Sequence, residues 1–333
     1  MKEHSNIPIF LSHRGCPHQC VYCDQCLITG DPGNPSEEEI HQAIEAYLST
    51  QKEETRKEIA FFGGSFSALP LEIQEFYLSI AQDYVGKHGI EGIRFSTRPD
   101  ALSSEKMNLY NNFTLSAIEL GVQSLDPKVL RASKRGHGLI DVIRAANLIA
   151  GSNLELGMQM MIGLPEDHYD SAIFTAEKMI ALRPDFVRIY PTLVLRGTGL
   201  EQMMEKGSYY PWSLEETIEV CADVLALFTE AHIPVIRCGL YSEAPDFLDS
   251  VVAGPYHPAL KSLVLSRMFY KKLAKLNGPL EIVLHPRDES LLLGNKKENL
   301  LRLQKQGKTL HYTLDEKIKR YGFLHQDRYF SIY

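Results

Sequence analysis

Cys16-Pro-His-Gln-Cys20-Val-Tyr-Cys23 puts three thiols within eight residues, and Cys26 follows shortly after. Thiolates are soft ligands that suit iron–sulfur groups or zinc. Three of them leave one corner of a four-iron cube without a protein ligand, and an open coordination position is what a catalytic centre needs. A zinc knuckle completed by Cys26 or His18 is the alternative, although structural zinc usually takes two well-separated cysteine pairs. In a reducing compartment such a cluster points to a metal before it points to disulfides.

Other residues able to do chemistry follow in order. Gly63-Gly64-Ser65 ends an apolar run, where glycines let backbone approach a ligand. Ser96-Thr97-Arg98-Pro99-Asp100 ends another, and Glu119-Leu-Gly-Val-Gln123-Ser124 a third, with Arg135 twelve residues past Gln123. Gln159 lies four residues before Gly163. Cys221 lies on an apolar helix and reads as core. Cys238 and Tyr190 each end a strand at the rim where barrel active sites assemble, so they are candidate catalytic residues.

These residues need a frame. Short apolar runs alternate with helical patterns from Ile7 to about Tyr241, which predicts parallel strands joined by right-handed crossovers. About seven strands suit an α/β fold, a partial or full (β/α) TIM-type barrel. Asp31-Pro-Gly-Asn-Pro is a breaker-rich loop, and Ser36 followed by Glu37-Glu38-Glu39 starts a helix. Pro245, Gly254-Pro255 and Pro258 mark a junction, giving a barrel domain over 1–244 and a small basic α/β extension over 245–333.

Composition excludes some classes. The chain has 333 residues, 44% hydrophobic and 23% charged, ordinary globular values. No apolar run reaches the ~18–20 residues that span a bilayer, and no secretory leader is legible at the start, so cytoplasmic residence is expected. The net charge of −7 is uneven. From His257 onward there are 15 Lys and Arg against 7 Asp and Glu, a balance of +8 that leaves −15 for the rest. A basic segment on an acidic body suggests a polyanionic partner. Lys261, Arg267, Lys271, Lys272 and Lys275 on one helix, with Lys296 and Lys297 beyond, are the candidate phosphate contacts.

The cysteine spacing with Tyr22 before the last thiol resembles the signature of the radical S-adenosylmethionine (SAM) superfamily. That resemblance implies a [4Fe-4S] cluster held by Cys16, Cys20 and Cys23. It also implies SAM bound at the open iron and reductively cleaved to a 5′-deoxyadenosyl radical, with an electron donor of flavodoxin or ferredoxin type. The later motifs are similar to enzymes of the oxygen-independent coproporphyrinogen oxidase type. On that likeness Gly63, Gly64 and Ser65 face the methionine amino group, Gln123 the ribose and Arg135 the methionine carboxylate. Tyr22, Ser96, Arg98 and Gly163 complete the expected cofactor residues, with Gln159 standing where those enzymes place an acidic ribose ligand.

A narrower resemblance, from about Ile7 to His232, is to the radical domain of the Elongator catalytic subunit, which modifies wobble uridine in tRNA. It implies a tRNA nucleoside or another phosphorylated substrate. The sequence departs in two places: it leaves no room for that subunit's acetyltransferase domain, and Val235-Ile-Arg-Cys-Gly replaces an arginine- and glutamine-bearing segment. The alternatives are a small-molecule radical enzyme (a decarboxylation or a methyl transfer) and a non-catalytic iron–sulfur or zinc protein. Oligomeric state is not legible.

Overall fold

The computed structural model describes residues 4–30, 35–50, 55–240 and 247–333. Its main sheet has seven parallel strands: β1 (His4–Leu11), β2 (Arg56–Gly63), β3 (Ile90–Thr97), β4 (Leu115–Gln123), β5 (Glu155–Ile162), β6 (Phe186–Pro191) and β8 (Val235–Cys238). They follow chain order, with β1 and β8 as the two edges, so the barrel is partial. The short strand β7 (Val194–Leu195) pairs instead with β9 (Val251–Ala253).

Buried parallel strands usually read as continuous apolar runs because both faces are covered. Here they alternate. Ile7, Ile9, Leu11, Ile59, Phe61, Ile118, Leu120, Met158, Met160, Val187 and Ile189 enter the main core. That core lies under α2 (Glu37–Thr50), α3 (Leu71–Gln82), α4 (Ser104–Tyr110), α6 (Leu139–Ala150), α7 (Tyr169–Ala181) and α9 (Leu214–Glu230). The intervening residues, including Arg94, Glu119, Gln159 and Arg188, turn to the opposite, concave face.

Local signals hold where they are strong. Ser36 and Glu39 cap α2 reciprocally, Ser36 N–H donating to Glu39 at 2.7 Å and Glu39 N–H to Ser36 Oγ at 3.3 Å. Asp126 caps α5 (Pro127–Ala132) by accepting from Lys128 and Val129 N–H. Helix α13 (Glu298–Lys305) begins only after Lys296 and Lys297, which adopt positive φ. The breaker loop at 31–34 lies outside the described residues. So does the expected boundary at 244/245.

The extension does not have a core of its own. Helix α11 (Leu260–Ala274) packs along α9, and Val264, Phe269, Leu280 and Phe323 join the same core as Val224 and Leu225. Beyond it, β10 (Leu280–Leu284), β11 (Leu310–Leu314), β12 (Gly322–His325) and β13 (Arg328–Ser331) form a mixed sheet in the order β11-β10-β12-β13. Helix α12 (Glu289–Leu293) precedes α13 on its flank.

Most of the basic helix meets an internal partner, which revises the polyanion expectation. The buried Arg267 guanidinium donates to Glu215 at 2.9 Å and to Glu219, both on α9. Lys271 reaches Asp223 at 2.7 Å, and Arg302 pairs with Glu215 and Glu298. Lys261 donates to the Val235 carbonyl at 3.4 Å. Much of the charge asymmetry is thus an intramolecular seam. Lys275, Lys296, Lys297 and Lys305 remain exposed.

Partial burial raises the Glu215 and Glu219 carboxyls. Arg267, Arg302 and Lys271 outweigh it and hold both below the usual carboxylate range. Depressed carboxylates stabilise the fold above their unfolded pKa of about 4.3, and that contribution is lost as pH falls through the lowered folded values. Arg267→Met is therefore expected to lower stability by about 1–2 kcal/mol at pH 7, discounted for half-exposed partners. Denaturant melts should show the gap closing below pH 4; a gap constant from pH 7 to 3 would assign the loss to packing alone.

Candidate active site

The cysteine loop leaves β1 and folds back at once. Arg14 N–H donates to the Leu11 carbonyl at 3.1 Å, and Ser65 N–H donates to the Arg14 carbonyl at 2.8 Å. The approach to the glycine turn is so close that a Cβ on Gly64 would lie 2.1 Å from Arg14 O and 2.4 Å from Leu11 O. A Cβ on Gly15 would lie 2.3 Å from Ser65 O. Gly63, at φ +101°, makes the bend. In this structure the Gly-Gly turn thus seats the cysteine loop.

The loop's other side is tied down too. Val21 N–H donates to Ser133 O at 3.2 Å, and Leu200 N–H to Val21 O at 2.7 Å. Cys20, Val21 and Tyr22 form a second core cluster with Val129, Leu164, Leu200 and Tyr209. Leu200 belongs to α8 (Gly199–Glu205), a helix sequence reasoning missed; Thr198 capping Glu201 N–H was its local signal.

Cys16, Cys20 and Cys23 converge. Burial, then the neighbouring Cys20 and Cys16 thiols, pushes Cys23 up to about 12. Burial also raises Cys16, against the pull of Arg135. Two buried thiols, Cys16 and Cys23, that resist ionisation fit a site completed by metal, whose charge reverses that preference. A single tetrahedral zinc, with Zn–S near 2.3 Å, would hold its sulfurs about 3.8 Å apart. Among the described residues, only His13, Asp24 and Cys26 offer three ligand atoms within 4.8 Å of one another. The sulfurs of Cys16, Cys20 and Cys23 do not all lie within that distance of one another, as a single tetrahedral zinc would hold them. The His13 group is already engaged: His13 Nε2 accepts from Gln25 N–H at 2.8 Å, and Asp24 caps α1 (Gln25–Thr29) by accepting from Leu27 N–H at 3.1 Å.

Arg135 is brought to the triad from the loop after α5. Its Nη1 lies 3.4 Å from Cys20 Sγ, Nη2 donates to Gly121 O at 2.7 Å, and the buried Nε has no partner. The Tyr22 hydroxyl is also buried and unpartnered, its pKa raised chiefly by burial. Gly121 leaves the space: a Cβ there would meet Arg135 Nη2 at 2.8 Å and Gln123 Nε2 at 3.1 Å. A register shift between Gly121 and Gln123, with Gln123 at φ +66°, turns Gln123 so that it accepts from Gln159 Nε2 at 3.2 Å. These orphaned donors beside three thiols fit a bound polar ligand.

Other expected residues fall differently. Ser65 is fully enclosed: its Oγ lies 3.0 Å from Thr97 Oγ1 and accepts from Arg98 N–H at 3.1 Å, so its side chain links the turn after β2 to the end of β3. Arg98 is largely engaged, although its buried Nη1 has no partner. It clamps Asp100 at 2.9 and 3.0 Å and donates to the Arg135 carbonyl at 2.7 Å, positioning Arg135. Cys238 lies on the helix side, its thiol against Cys221 of α9, and not at the concave rim. Ser96 is half-exposed on the concave face, where the register pairs it with Glu119. Tyr190 shares that face, accepting from Arg188 at 3.4 Å. Gly163, at φ +84°, turns under Trp212 and accepts from the Tyr209 hydroxyl at 2.7 Å. Asp167, missed earlier, takes Gly163 N–H at 2.8 Å.

The concave floor holds a charge ladder that sequence reasoning also missed. Arg94 meets Glu58 at 2.7 Å and Glu119 at 3.3 Å, and Glu119 meets Arg188 at 2.9 Å. The readable signal was charge at inward-phase positions of successive strands. His137 supports the rim from below, its Nε2 3.2 Å from Val122 O. Burial, Arg135 and Arg98 push its pKa down to about 3, so it stays neutral.

Fold and site together define a half-barrel enzyme in which three cysteines gather beside Arg135. The chain belongs to the Radical SAM superfamily, whose model matches residues 10–179, and the Radical_SAM C-terminal domain matches residues 184–270. It is 29% identical over 257 residues to a tRNA uridine(34) acetyltransferase of Methanocaldococcus infernus, covering 64% of this chain and 48% of that protein. It is 29% identical to human Elongator complex protein 3, over 63% of this chain and 41% of that one. The chain thus spans about half the length of the curated relatives it matches. The structure of M. infernus Elp3 with an N-terminal deletion superposes with TM-score 0.63 at 22% identity, covering 82% of this chain and 64% of that one. No helix among the described residues is long and apolar enough to cross a membrane.

Two substitutions test this arrangement. Gly64→Ala must displace backbone, so a stability loss of about 1–3 kcal/mol with reduced iron uptake is expected; unchanged melting would contradict the tight seat. Glu119→Ala leaves two buried cations facing each other and should cost about 3–5 kcal/mol in a denaturant titration.

Proposed function

We propose that this enzyme holds a [4Fe-4S] cluster on Cys16, Cys20 and Cys23 and binds SAM beside it, acting on a tRNA nucleoside. The observation that carries the reading is Arg135, held against Cys20 with an unpartnered Nε in a buried site. When bound, the cluster and SAM supply reductive sulfonium cleavage to a 5′-deoxyadenosyl radical. The chain's own residues bind, orient and exclude water. Arg135 offers a guanidinium to the SAM carboxylate, a planar match that lysine lacks. Gln123 and Gln159 offer amides to ribose hydroxyls, and Tyr22 closes the site under the loop. Gly63 and Gly64 keep side chains away from the ligand, and Gly163 with Asp167 shapes the adenine end. Tyr190 and Ser96 face the substrate space from the concave side.

The tRNA assignment draws on the relatives named above, which share about two-thirds of this chain. Acetyl transfer is not carried over, since the chain spans only about half of those proteins. Residues 1–244 are proposed as the catalytic unit, with 245–333 buttressing α9.

Anaerobic reconstitution should give a [4Fe-4S] spectrum and release 5′-deoxyadenosine with dithionite. Single Cys16→Ala, Cys20→Ala and Cys23→Ala variants that all keep cleavage would overturn the cluster assignment. Arg135→Ala should keep its iron and bind SAM roughly 10- to 100-fold more weakly; unchanged affinity would remove Arg135 from the site. Mass spectrometry of nucleosides from tRNA incubated with enzyme and SAM should show one altered uridine, and an unaltered digest would redirect the search to small molecules.

A further inference from the structure

We propose that Cys238 and Cys221 form an oxidative modification site, a peroxide-reactive thiol and its resolving partner that close to a disulfide between β8 and α9. The proposal does not rest on the cluster reading above. Cys238 ends β8, and Cys221 lies in the middle of α9. Both are buried, at 6% and 0% exposure, and the Cys221 thiol donates a hydrogen bond to Cys238. Two sulfurs already in hydrogen-bond contact need only a small approach to reach bonding distance. Strand β8 is placed to make it. It has four residues, forms an edge of the seven-stranded sheet and pairs only with β6 among the described residues.

The pair is asymmetric, which assigns the roles. The hydrogen bond from Cys221 lowers the Cys238 thiol below its ordinary value; burial opposes this, and Lys261 adds to it. The same hydrogen bond, with burial, raises Cys221. Lys261, on α11, also donates to the Val235 carbonyl of β8 at 3.4 Å. Thiolate character and access mark the reacting sulfur, so Cys238 is the nucleophile and Cys221 the resolving thiol. The oxidant is a hydroperoxide, small enough for a site of this exposure. The Cys238 thiolate attacks a peroxide oxygen; an S–O bond forms and the O–O bond breaks. The departing hydroxide takes up the proton that Cys238 gave up and leaves as water. Cys221 then attacks the Cys238 sulfur: the S–S bond forms, the S–O bond breaks, and the Cys221 proton leaves with that oxygen as a second water. Each sulfur loses one electron and the peroxide gains two. The product ties an edge strand to α9, the helix whose carboxylates hold the extension.

The test uses the full chain, reduced and anaerobic, with hydrogen peroxide as probe. Trypsin separates the two cysteines, onto peptides 207–237 and 238–261. After stepwise peroxide addition and alkylation in denaturant, mass spectrometry should find these peptides joined, and dithiothreitol should release them. Cys221→Ser should leave Cys238 as a sulfenic acid that dimedone labels, whereas Cys238→Ser should leave Cys221 unlabelled. Lys261→Met, which keeps both thiols, should slow the crosslink about 3- to 10-fold. The oxidised chain should also unfold at a higher urea concentration than the reduced one, a difference abolished by dithiothreitol. Peptides 207–237 and 238–261 that stay separate and fully alkylated while Cys26 is oxidised overturn the proposal. Dimedone on Cys221 in place of Cys238 overturns the assigned roles, and an unchanged rate in Lys261→Met overturns the part given to Lys261. Neither iron uptake nor 5′-deoxyadenosine release is read here, so failure of the cluster reading is a separate result.

Discussion

The site depends on one steric constraint, the seating of the cysteine loop against the Gly63-Gly64 turn. Backbone of Leu11 and Arg14 occupies the volume that a side chain at Gly64 would need. Contact at that distance cannot be relaxed by a rotamer change, so the loop has one position relative to the ends of β2 and β3. Ser65 and Thr97 lock those ends together from inside. The thiols, Arg135 and Tyr22 are then brought together by a scaffold that is itself tightly packed, which is how a preorganised site keeps its geometry without its ligand.

Charge is used in three distinct ways. On the concave floor, Glu119 is sandwiched between Arg94 and Arg188, a buried network in which each member's presence justifies the others. On the outer surface, α9 supplies the carboxylates and α11 the cations that hold the extension to the barrel. Around the cavity lined by His18 and Gly136, the exposed Arg131 and Lys134 have no ion pair among the described residues. The overall charge of −7 therefore says little by itself; the distribution separates structural pairing from available field.

Much of the site was legible because its signal is local. The cysteine spacing, the Gly-Gly turn and the cap at Ser36 depend on residues a few positions apart. Strand positions were legible too, since alternation marks each one. Roles that depend on contacts between different elements were not. Arg98 was expected at the cofactor, yet Asp100 and the Arg135 carbonyl take two of its three guanidinium nitrogens and leave Nη1 unpartnered. Ser65 was expected to face the cofactor, and its hydroxyl meets Thr97. Cys238 looked like a rim residue, yet the strand's phase turns it toward Cys221.

By itself the sequence determined the chemistry and the frame: thiols at ligand spacing, a βα rhythm, and a basic segment on an acidic body. Only the tertiary structure decided which side of each strand faces the site. A single register shift between Gly121 and Gln123 re-aims a side chain, and no local pattern announces it. It also decided that the basic extension serves mainly its own chain. Opposite charges in sequence attract equally well within a molecule or between molecules, and only the packing of α11 on α9 chooses between them.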